Sequence, residues 1–181
     1  NNPNSVYVDA NGTLWVADRD NHRVLRFANA SSKLTGANAD GVLGQPNFTS
    51  NTAGTTAALL SAPTSVFVDG SGNLWVSDKD NNRVMRFNNA SGKPNGANAD
   101  GVLGQLDFVT STSGTTASKF DAPWGVYVDV AGKLWVADRY NSRVLRFDNA
   151  AGLTNGAAAN GVLGQTDFVT STSGLTQSKF D

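Results

Sequence analysis

A segment that recurs at a fixed spacing of 60 residues constrains this 181-residue chain more than any other feature. The segment occurs three times, as Leu14–Phe27, Leu74–Phe87 and Leu134–Phe147. Self-similarity at a fixed period means that one supersecondary unit is copied along the chain. The chain therefore divides into three repeats, numbered 1 to 3 below, which are residues 1–60, 61–120 and 121–181.

Each repeat contains four short apolar runs separated by segments of small and polar residues. In repeat 1 the runs include Val6, Trp15, Val24 and Val42. They are rich in β-branched and aromatic residues, which favours strands. Apolar and polar residues alternate poorly within the runs, so both faces of the sheet should be packed. Four short antiparallel strands packed on both faces are typical of a β-propeller blade, and we predict an all-β fold built from such blades.

Two local features of each repeat carry further predictions. Asp9 and the glycine three residues later recur in every repeat, which predicts a hairpin turn with a positive φ at Gly12. A calcium loop is the alternative, but repeat 3 has Ala131 at the second ligand position and the chain has no Glu.

The central tryptophans should be equivalently buried, and each repeat ends near one apolar anchor. These residues are Trp15, Trp75 and Trp135, and Leu60, Phe120 and Phe180.

The segment Leu14–Phe27 resembles the NHL repeat, a family of propeller blades. It reads Leu-Trp-Val-Ala-Asp-Arg-Asp-Asn-His-Arg-Val-Leu-Arg-Phe, and it contains the Asn-His pair of that family at Asn21 and His22. The departures are Asn82 and Ser142 in place of the histidine, and a repeat longer than is usual for the family. The resemblance implies that each 60-residue repeat is one four-stranded blade.

Three blades are too few to close a propeller, which usually has about four to eight. The sequence starts and stops at the same phase, since Asp181 stands where Asp121 begins repeat 3. We therefore expect further blades, from other copies or from more of this chain, in head-to-tail contact. Two chains would make a six-bladed ring, whereas an interface that does not close would propagate as a filament. The absence of a capping repeat slightly favours the filament.

Charge and residue inventory exclude several classes of function. The net charge of −1 gives no electrostatic case for binding nucleic acid. No apolar run approaches the roughly 18 residues of a membrane span. Cysteine is absent, which excludes disulfides and thiolate metal sites. All 15 acidic residues are Asp, and this composition of small polar residues leads us to expect an extracellular or cell-surface protein.

A polar motif after the second apolar run recurs in all three repeats. Its members are Asp18, Asn21, Arg23, Asp78, Asn81, Arg83, Asp138, Asn141 and Arg143. We interpret it as structural, with each Asp capping the turn and hydrogen-bonding to the Arg five residues later. The alternative is a ring of equivalent side chains that lines a ligand site.

Departures from the repeat mark the candidate ligand or interface residues Trp124, Tyr140 and His22. Trp124 stands where the other repeats have Asn4 and Thr64, and an exposed aromatic residue could anchor a ligand. Tyr140 likewise replaces an Asp. His22 is the single histidine of the chain, so a centre with several histidine ligands is excluded.

Three hypotheses for function follow. The leading one is a non-enzymatic scaffold that needs no cofactor or metal and associates with itself, with a structural, adhesive or recognition role. The second is a six-bladed ring of two chains that binds a carbohydrate or peptide on its central face, with Trp124 as an anchor. The third is a metal-dependent enzyme of the lyase or lactonase type, which the shortage of catalytic residue types disfavours.

Overall fold

A computed structural model describes residues 2–181 and contains three four-stranded antiparallel sheets, one in each repeat. Repeat 1 forms β1 (Pro3–Val8), β2 (Leu14–Asp18), β3 (Arg23–Phe27) and β4 (Gly41–Leu43). Repeat 2 forms β5 (Pro63–Val68), β6 (Leu74–Asp78), β7 (Arg83–Phe87) and β8 (Gly101–Leu103). Repeat 3 forms β9 (Pro123–Val128), β10 (Leu134–Asp138), β11 (Arg143–Phe147) and β12 (Gly161–Leu163). The predicted all-β fold of four-stranded blades is confirmed.

Short 3-10 helices follow the second and third strands of every repeat. They span Arg19–Asn21, Ala30–Ser32, Lys79–Asn81, Ala90–Gly92, Arg139–Asn141 and Ala150–Gly152. Strand order within each sheet follows the sequence, and each second strand pairs with the third in a register that sets the motif Asp opposite the motif Arg. No helix among residues 2–181 has the length and apolar character needed to span a membrane.

The turn between β1 and β2 is held by the side chain of Asp9. Its Oδ1 accepts hydrogen bonds from the backbone N–H groups of Asn11 (2.9 Å) and Thr13 (3.0 Å). Gly12 has the positive φ of 74° that the hairpin requires. The second carboxylate oxygen of Asp9 accepts a hydrogen bond from the indole Nε1 of Trp15 at 2.9 Å. The predicted hairpin is therefore present, and its Asp also orients the central tryptophan.

Two apolar cores lie between the sheets, one between repeats 1 and 2 and one between repeats 2 and 3. Each sheet presents a leading face to the next repeat and a trailing face to the previous one. In repeat 1 the leading face consists of Tyr7, Trp15, Ala17, Val24 and Leu43. The positions of the trailing face in repeat 1 are Val6, Val8, Leu14, Val16, Leu25 and Phe27, whose equivalents in repeats 2 and 3 are buried. Packing on both faces explains the poor alternation of the strands.

Hydrogen bonds from the next repeat cover the outer edge of the sheets in repeats 1 and 2. The N–H of Val42 in β4 donates to Asn95 Oδ1 at 3.0 Å, and the C=O of Val42 accepts from the N–H of Gly96 at 3.1 Å. The same bonds join Val102 to Asn155 and Gly156. The unpaired backbone groups of a short edge strand are thus satisfied by the neighbouring blade.

The connection after each fourth strand is pinned by a buried glutamine and an apolar anchor. Gln45 Nε2 donates to the carbonyls of His22 (3.0 Å) and Thr52 (2.9 Å). Leu60, the predicted anchor, is fully buried beneath Gly44, where a Cβ would lie 2.5 Å from Leu60 Cδ1. Only glycine fits at this position, because it also has a positive φ of 84°. Leu60, at the end of this connection, is therefore part of the core between repeats 1 and 2.

Candidate functional site

The Asp–Arg pair of the recurring motif is buried in repeat 2. Arg83 Nε donates to Asp78 Oδ2 at 2.7 Å, and both side chains are 0% exposed. Asn81 Nδ2 donates to the same oxygen at 2.8 Å, and the backbone N–H of Ser61 donates to Asp78 Oδ1 at 2.6 Å. These groups are hydrogen-bonded to one another rather than directed at a ligand site.

The Arg83 guanidinium also ties two connections to the sheet. Nη1 donates to the carbonyl of Phe108 at 2.6 Å, and Nη2 donates to the carbonyls of Thr56 (3.0 Å) and Leu59 (2.9 Å). Arg143 repeats this arrangement on the carbonyls of Phe168, Thr116 and Lys119. Removing the guanidinium would therefore take a donor from three carbonyls and the cation from a buried carboxylate.

Repeat 1 contains the same pair in a more open environment. Arg23 Nε lies 2.7 Å from Asp18 Oδ2, but the Arg23 side chain is 17% exposed. Burial is the largest influence on the pKa of Asp18 and raises it, but hydrogen bonds from Asn21 and Arg23 outweigh it and the pKa is lowered overall. At Asp78, complete desolvation dominates and the pKa is raised despite the charge of Arg83. The pKa of the motif Asp is therefore shifted in opposite directions in repeats 1 and 2.

His22 joins repeats 1 and 2. Its Nδ1 accepts a hydrogen bond from the backbone N–H of Ala62 at 3.0 Å. In the next repeat Asn82 Oδ1 accepts from the N–H of Ala122 at 2.9 Å. Histidine and asparagine are therefore interchangeable acceptors here. Across residues 2–181, no group of three or more His, Asp or Glu side chains is placed to hold a metal ion.

The two other candidates, Trp124 and Tyr140, lie on either side of Arg139. The Arg139 Cζ is 4.6 Å from the ring centre of Trp124 and 5.4 Å from that of Tyr140. Arg19 of repeat 1 also approaches Trp124, with Cζ at 5.8 Å. We call Arg19, Trp124 and Arg139 the axial cluster, because they lie near the starts of the first strands, which pack side by side. The cluster shows that repeats 1 and 3 approach each other around one axis.

A groove of about 640 Å³ lies at the other end of the first strands. It contains a row of three aromatic rings, with Tyr7 and Phe67 centred 4.5 Å apart and Phe67 and Tyr127 centred 4.8 Å apart. Burial, followed by the charge of Asp9, raises the pKa of Tyr7. The carboxylates of Asp69 and Asp129 at this groove are hydrogen-bonded to their own turns and tryptophans. The groove therefore combines a row of aromatic rings with carboxylates that are already hydrogen-bonded.

The outermost sheet faces expose residues that are buried at the internal interfaces. Val6 on the trailing face of repeat 1 is 64% exposed, whereas its equivalent Val66 is 4% exposed. Leu163 on the leading face of repeat 3 is 53% exposed, whereas Leu103 is 3% exposed. The predicted equivalence of the three tryptophans fails for the same reason, since Trp135 on that face is only half-buried. The three sheets do not form a closed ring by themselves.

Sequence reasoning missed three groups of residues that organise these surfaces. They are the glutamines Gln45, Gln105 and Gln165, the inter-repeat arginines Arg26 and Arg86, and the tryptophan-binding carboxylates Asp9, Asp69 and Asp129. Recurrence at the 60-residue period was the available signal for each group. It could not indicate which partner each side chain would reach.

Comparison with known proteins agrees with this geometry. The NHL repeat family matches residues 1–27 and 120–147, which include the first three strands of repeats 1 and 3. These two segments are NHL repeats. Human NHL repeat-containing protein 3 is 30% identical over 101 residues, and the mouse protein matches equally. That match covers 54% of this chain and 25% of the human protein, so this NHL-repeat chain spans about a quarter of its curated relatives.

Solved structures resemble the three blades in fold alone. Hydrazine synthase of Kuenenia stuttgartiensis superposes with a TM-score of 0.58 at 13% identity, over 92% of this chain and 37% of that chain. A streptogramin B lyase superposes with a TM-score of 0.50 at 13% identity, over 80% of this chain and 37% of the lyase. Both matches support the assignment of each sheet as a propeller-type blade.

Proposed function

We propose that this NHL-repeat chain is a non-enzymatic scaffold that associates end to end with a second copy of itself. The observation that carries the proposal is the match between its two open faces. The trailing face of repeat 1 and the leading face of repeat 3 present the residue types that pack together at both internal interfaces. A second copy can therefore add its repeat 1 to repeat 3 by the contact that joins repeats 1 and 2.

Hydrogen-bonding groups at the open faces match in the same way. At the internal interfaces Arg26 and Arg86 each donate to three carbonyls of the following repeat. The equivalent Arg146 instead contacts Asp148 of its own repeat, with Nε 3.0 Å from Oδ1. In a second copy, the carbonyls of Ala30 and Ser31 occupy the positions that Arg146 would reach.

One substitution distinguishes the proposed contact from the internal ones. Asn95 and Asn155 each accept a hydrogen bond from the outer strand of the preceding repeat, and repeat 1 has Thr35 at this position. The threonine hydroxyl is also an acceptor, but it is shorter than the asparagine amide. We therefore expect the contact between chains to be weaker than the contact within the chain, which would make the assembly reversible.

A closed ring is the second candidate, and the axial cluster favours it. Arg19 of repeat 1 reaches to within 5.8 Å of the Trp124 ring of repeat 3, so the blades already curve around a common axis. Continued curvature in two chains would give six blades, which lies within the usual range for a closed propeller. A helical offset at the contact between chains would give a filament instead.

Solution mass and electron microscopy of the same sample test the proposal. We expect the wild type to form dimers or filaments and Val6→Lys to be a monomer, because the lysine would be buried without a partner. The matched control is Val130→Lys, since Val130 is fully exposed and its equivalent Gly70 is exposed even in the middle repeat. A monodisperse wild-type monomer of 18.9 kDa would contradict the proposal.

We also propose that the protein lies outside the cell or on its surface and that it does not catalyse a reaction. The composition of small polar residues, with Asp as the sole acidic residue type, supports an extracellular or cell-surface site for a structural, adhesive or recognition role. Protease treatment of intact source cells should therefore degrade the protein. An ordered metal at Asp9, Asp69 or Asp129 in a crystal structure would contradict the non-enzymatic assignment.

A further inference from the structure

The axial cluster brings together two cationic side chains from repeats 1 and 3. Arg19 and Arg139 place their Cζ atoms 5.8 Å and 4.6 Å from the Trp124 ring centre. A guanidinium group that lies over an aromatic ring is attracted to the π-electrons and keeps its N–H edges available for hydrogen bonds. The indole ring of Trp124 therefore positions the two guanidinium groups without accepting hydrogen bonds from their N–H groups.

Neither arginine side chain has an anionic partner among residues 2–181. Arg19 Nε is buried without a hydrogen-bond partner, and neither guanidinium takes part in a salt bridge within this part of the chain. Lys79, the equivalent residue of repeat 2, contacts Asp80 at 2.6 Å. Repeat 3 has Tyr140 where repeat 2 has Asp80, so no carboxylate follows Arg139 directly in the sequence.

Departures from the repeat coincide at this place. Position 4 of the repeat is Asn4, Thr64 and then Trp124, and the first two donate hydrogen bonds to the backbone of the following repeat. At Trp124 the two arginines approach the indole ring instead. The aromatic substitutions Trp124 and Tyr140 thus occur beside the arginines that lack counter-ions. A structural repeat alone would give no reason for this coincidence.

We propose that the axial cluster binds a small oxyanion that carries two or more carboxylate or phosphate groups. Planar guanidinium groups match the geometry of both anions and can bind each with two parallel hydrogen bonds. A bound anion would supply the anionic partner that the two guanidinium groups lack among residues 2–181, through the N–H groups that do not face the indole ring. All of the residues belong to one chain, so the site does not depend on the assembly proposed above.

Isothermal titration with citrate and with inorganic phosphate, at low ionic strength, tests the site and distinguishes the two chemistries. Acetate, which has a single carboxylate, serves as the reference ligand. We expect saturable binding of at least one of the two anions, weakened roughly tenfold or more in Arg19→Gln and in Arg139→Gln. The matched control Lys79→Gln removes the same charge at the equivalent position and should change the affinity less than about twofold, since Lys79 already has a partner.

The proposal is overturned if neither anion binds saturably, if acetate binds as well as both, or if Lys79→Gln weakens binding as much as the arginine variants. Circular dichroism and solution mass should show that each variant keeps the wild-type fold and assembly. If a glutamine variant does not fold, Arg19→Lys and Arg139→Lys replace it. Lysine retains the charge without the planar fork, so we expect these variants also to weaken binding, and unchanged affinity in both would overturn the proposal.

Discussion

The Asp–Arg pairs of repeats 1 and 2 have the same sequence spacing and the same 2.7 Å contact, yet their environments differ. Arg83 is fully buried because the connection before repeat 2 supplies the carbonyls of Thr56 and Leu59. The equivalent positions for repeat 1 would precede residue 1, and Arg23 is partly exposed. The Asp and Arg of the motif form an ion pair within one repeat, but residues of the preceding repeat are needed to bury that pair.

The sheet faces differ between the middle and outer repeats in the same way. Repeat 2 packs a neighbour on both faces, whereas repeats 1 and 3 each pack one. In repeat proteins, stability is approximately a sum of repeat and nearest-neighbour contributions. We therefore expect equivalent substitutions in the middle and outer repeats to have unequal effects on the free energy of unfolding.

The largest expected difference is between Arg83→Met and Arg23→Met. Arg83→Met leaves the Asp78 carboxylate buried without its cation, which typically costs about 3–5 kcal/mol of unfolding free energy. Arg23→Met should cost less than Arg83→Met, because the Arg23 side chain is 17% exposed and Arg83 makes additional hydrogen bonds to the carbonyls of Thr56 and Leu59. Chemical denaturation of both variants measures the difference. Equal losses would show that burial by the neighbouring repeat is not the cause.

The second difference concerns the central tryptophans. Trp75 is buried between repeats 2 and 3, and Trp75→Ala should lower the unfolding free energy by about 3–5 kcal/mol. Trp135→Ala should cost less in a monomeric sample, because no further blade covers this half-buried ring. Measurement of both in the Val6→Lys background removes the effect of assembly. A smaller loss for Trp75→Ala than for Trp135→Ala would contradict the predicted packing.

A smaller effect is expected at His22. His22→Ala removes the acceptor for the Ala62 N–H and should cost about 1 kcal/mol. His22→Asn should be close to neutral, because Asn82 performs this role in the next repeat at 2.9 Å. Thermal unfolding of the two variants distinguishes them. If His22→Asn were as destabilising as His22→Ala, the imidazole would have a role beyond accepting this hydrogen bond.

The smallest effect is a pH dependence that separates Asp18 from Asp78. The pKa of Asp18 is lowered from the ordinary 3.8, so its ionised form stabilises the fold above that pH and this contribution is lost as the pH falls through the folded-state pKa. The stability gap between wild type and Asp18→Asn should therefore shrink below about pH 4. Burial raises the pKa of Asp78, so the folded state takes up the proton first as the pH falls, and wild type should gain stability relative to Asp78→Asn beginning at a pH above 3.8. Unfolding curves from pH 7 to 2.5 test the order, and a reversed order would contradict the two environments.

The sequence by itself determined the blade and its local contacts. The 60-residue period, the four apolar runs and the Asp9–Gly12 turn predicted the strands and the hairpin. The link between Asp18 and Arg23 was also predictable, because the two positions face each other across one hairpin. Such contacts depend on backbone hydrogen bonds between residues close in the sequence, so the local pattern is enough to specify them.

Only the tertiary structure decided which copies of a motif are buried and which side chains meet around the axis. Trp124 was recognisable as a departure from the repeat, but the approach of Arg19 from repeat 1 was not. The same holds for His22, whose donor lies at Ala62 in the next repeat. These contacts depend on the rotation and spacing between successive blades. That geometry comes from the packing of whole sheet faces, and no short segment of the sequence encodes it.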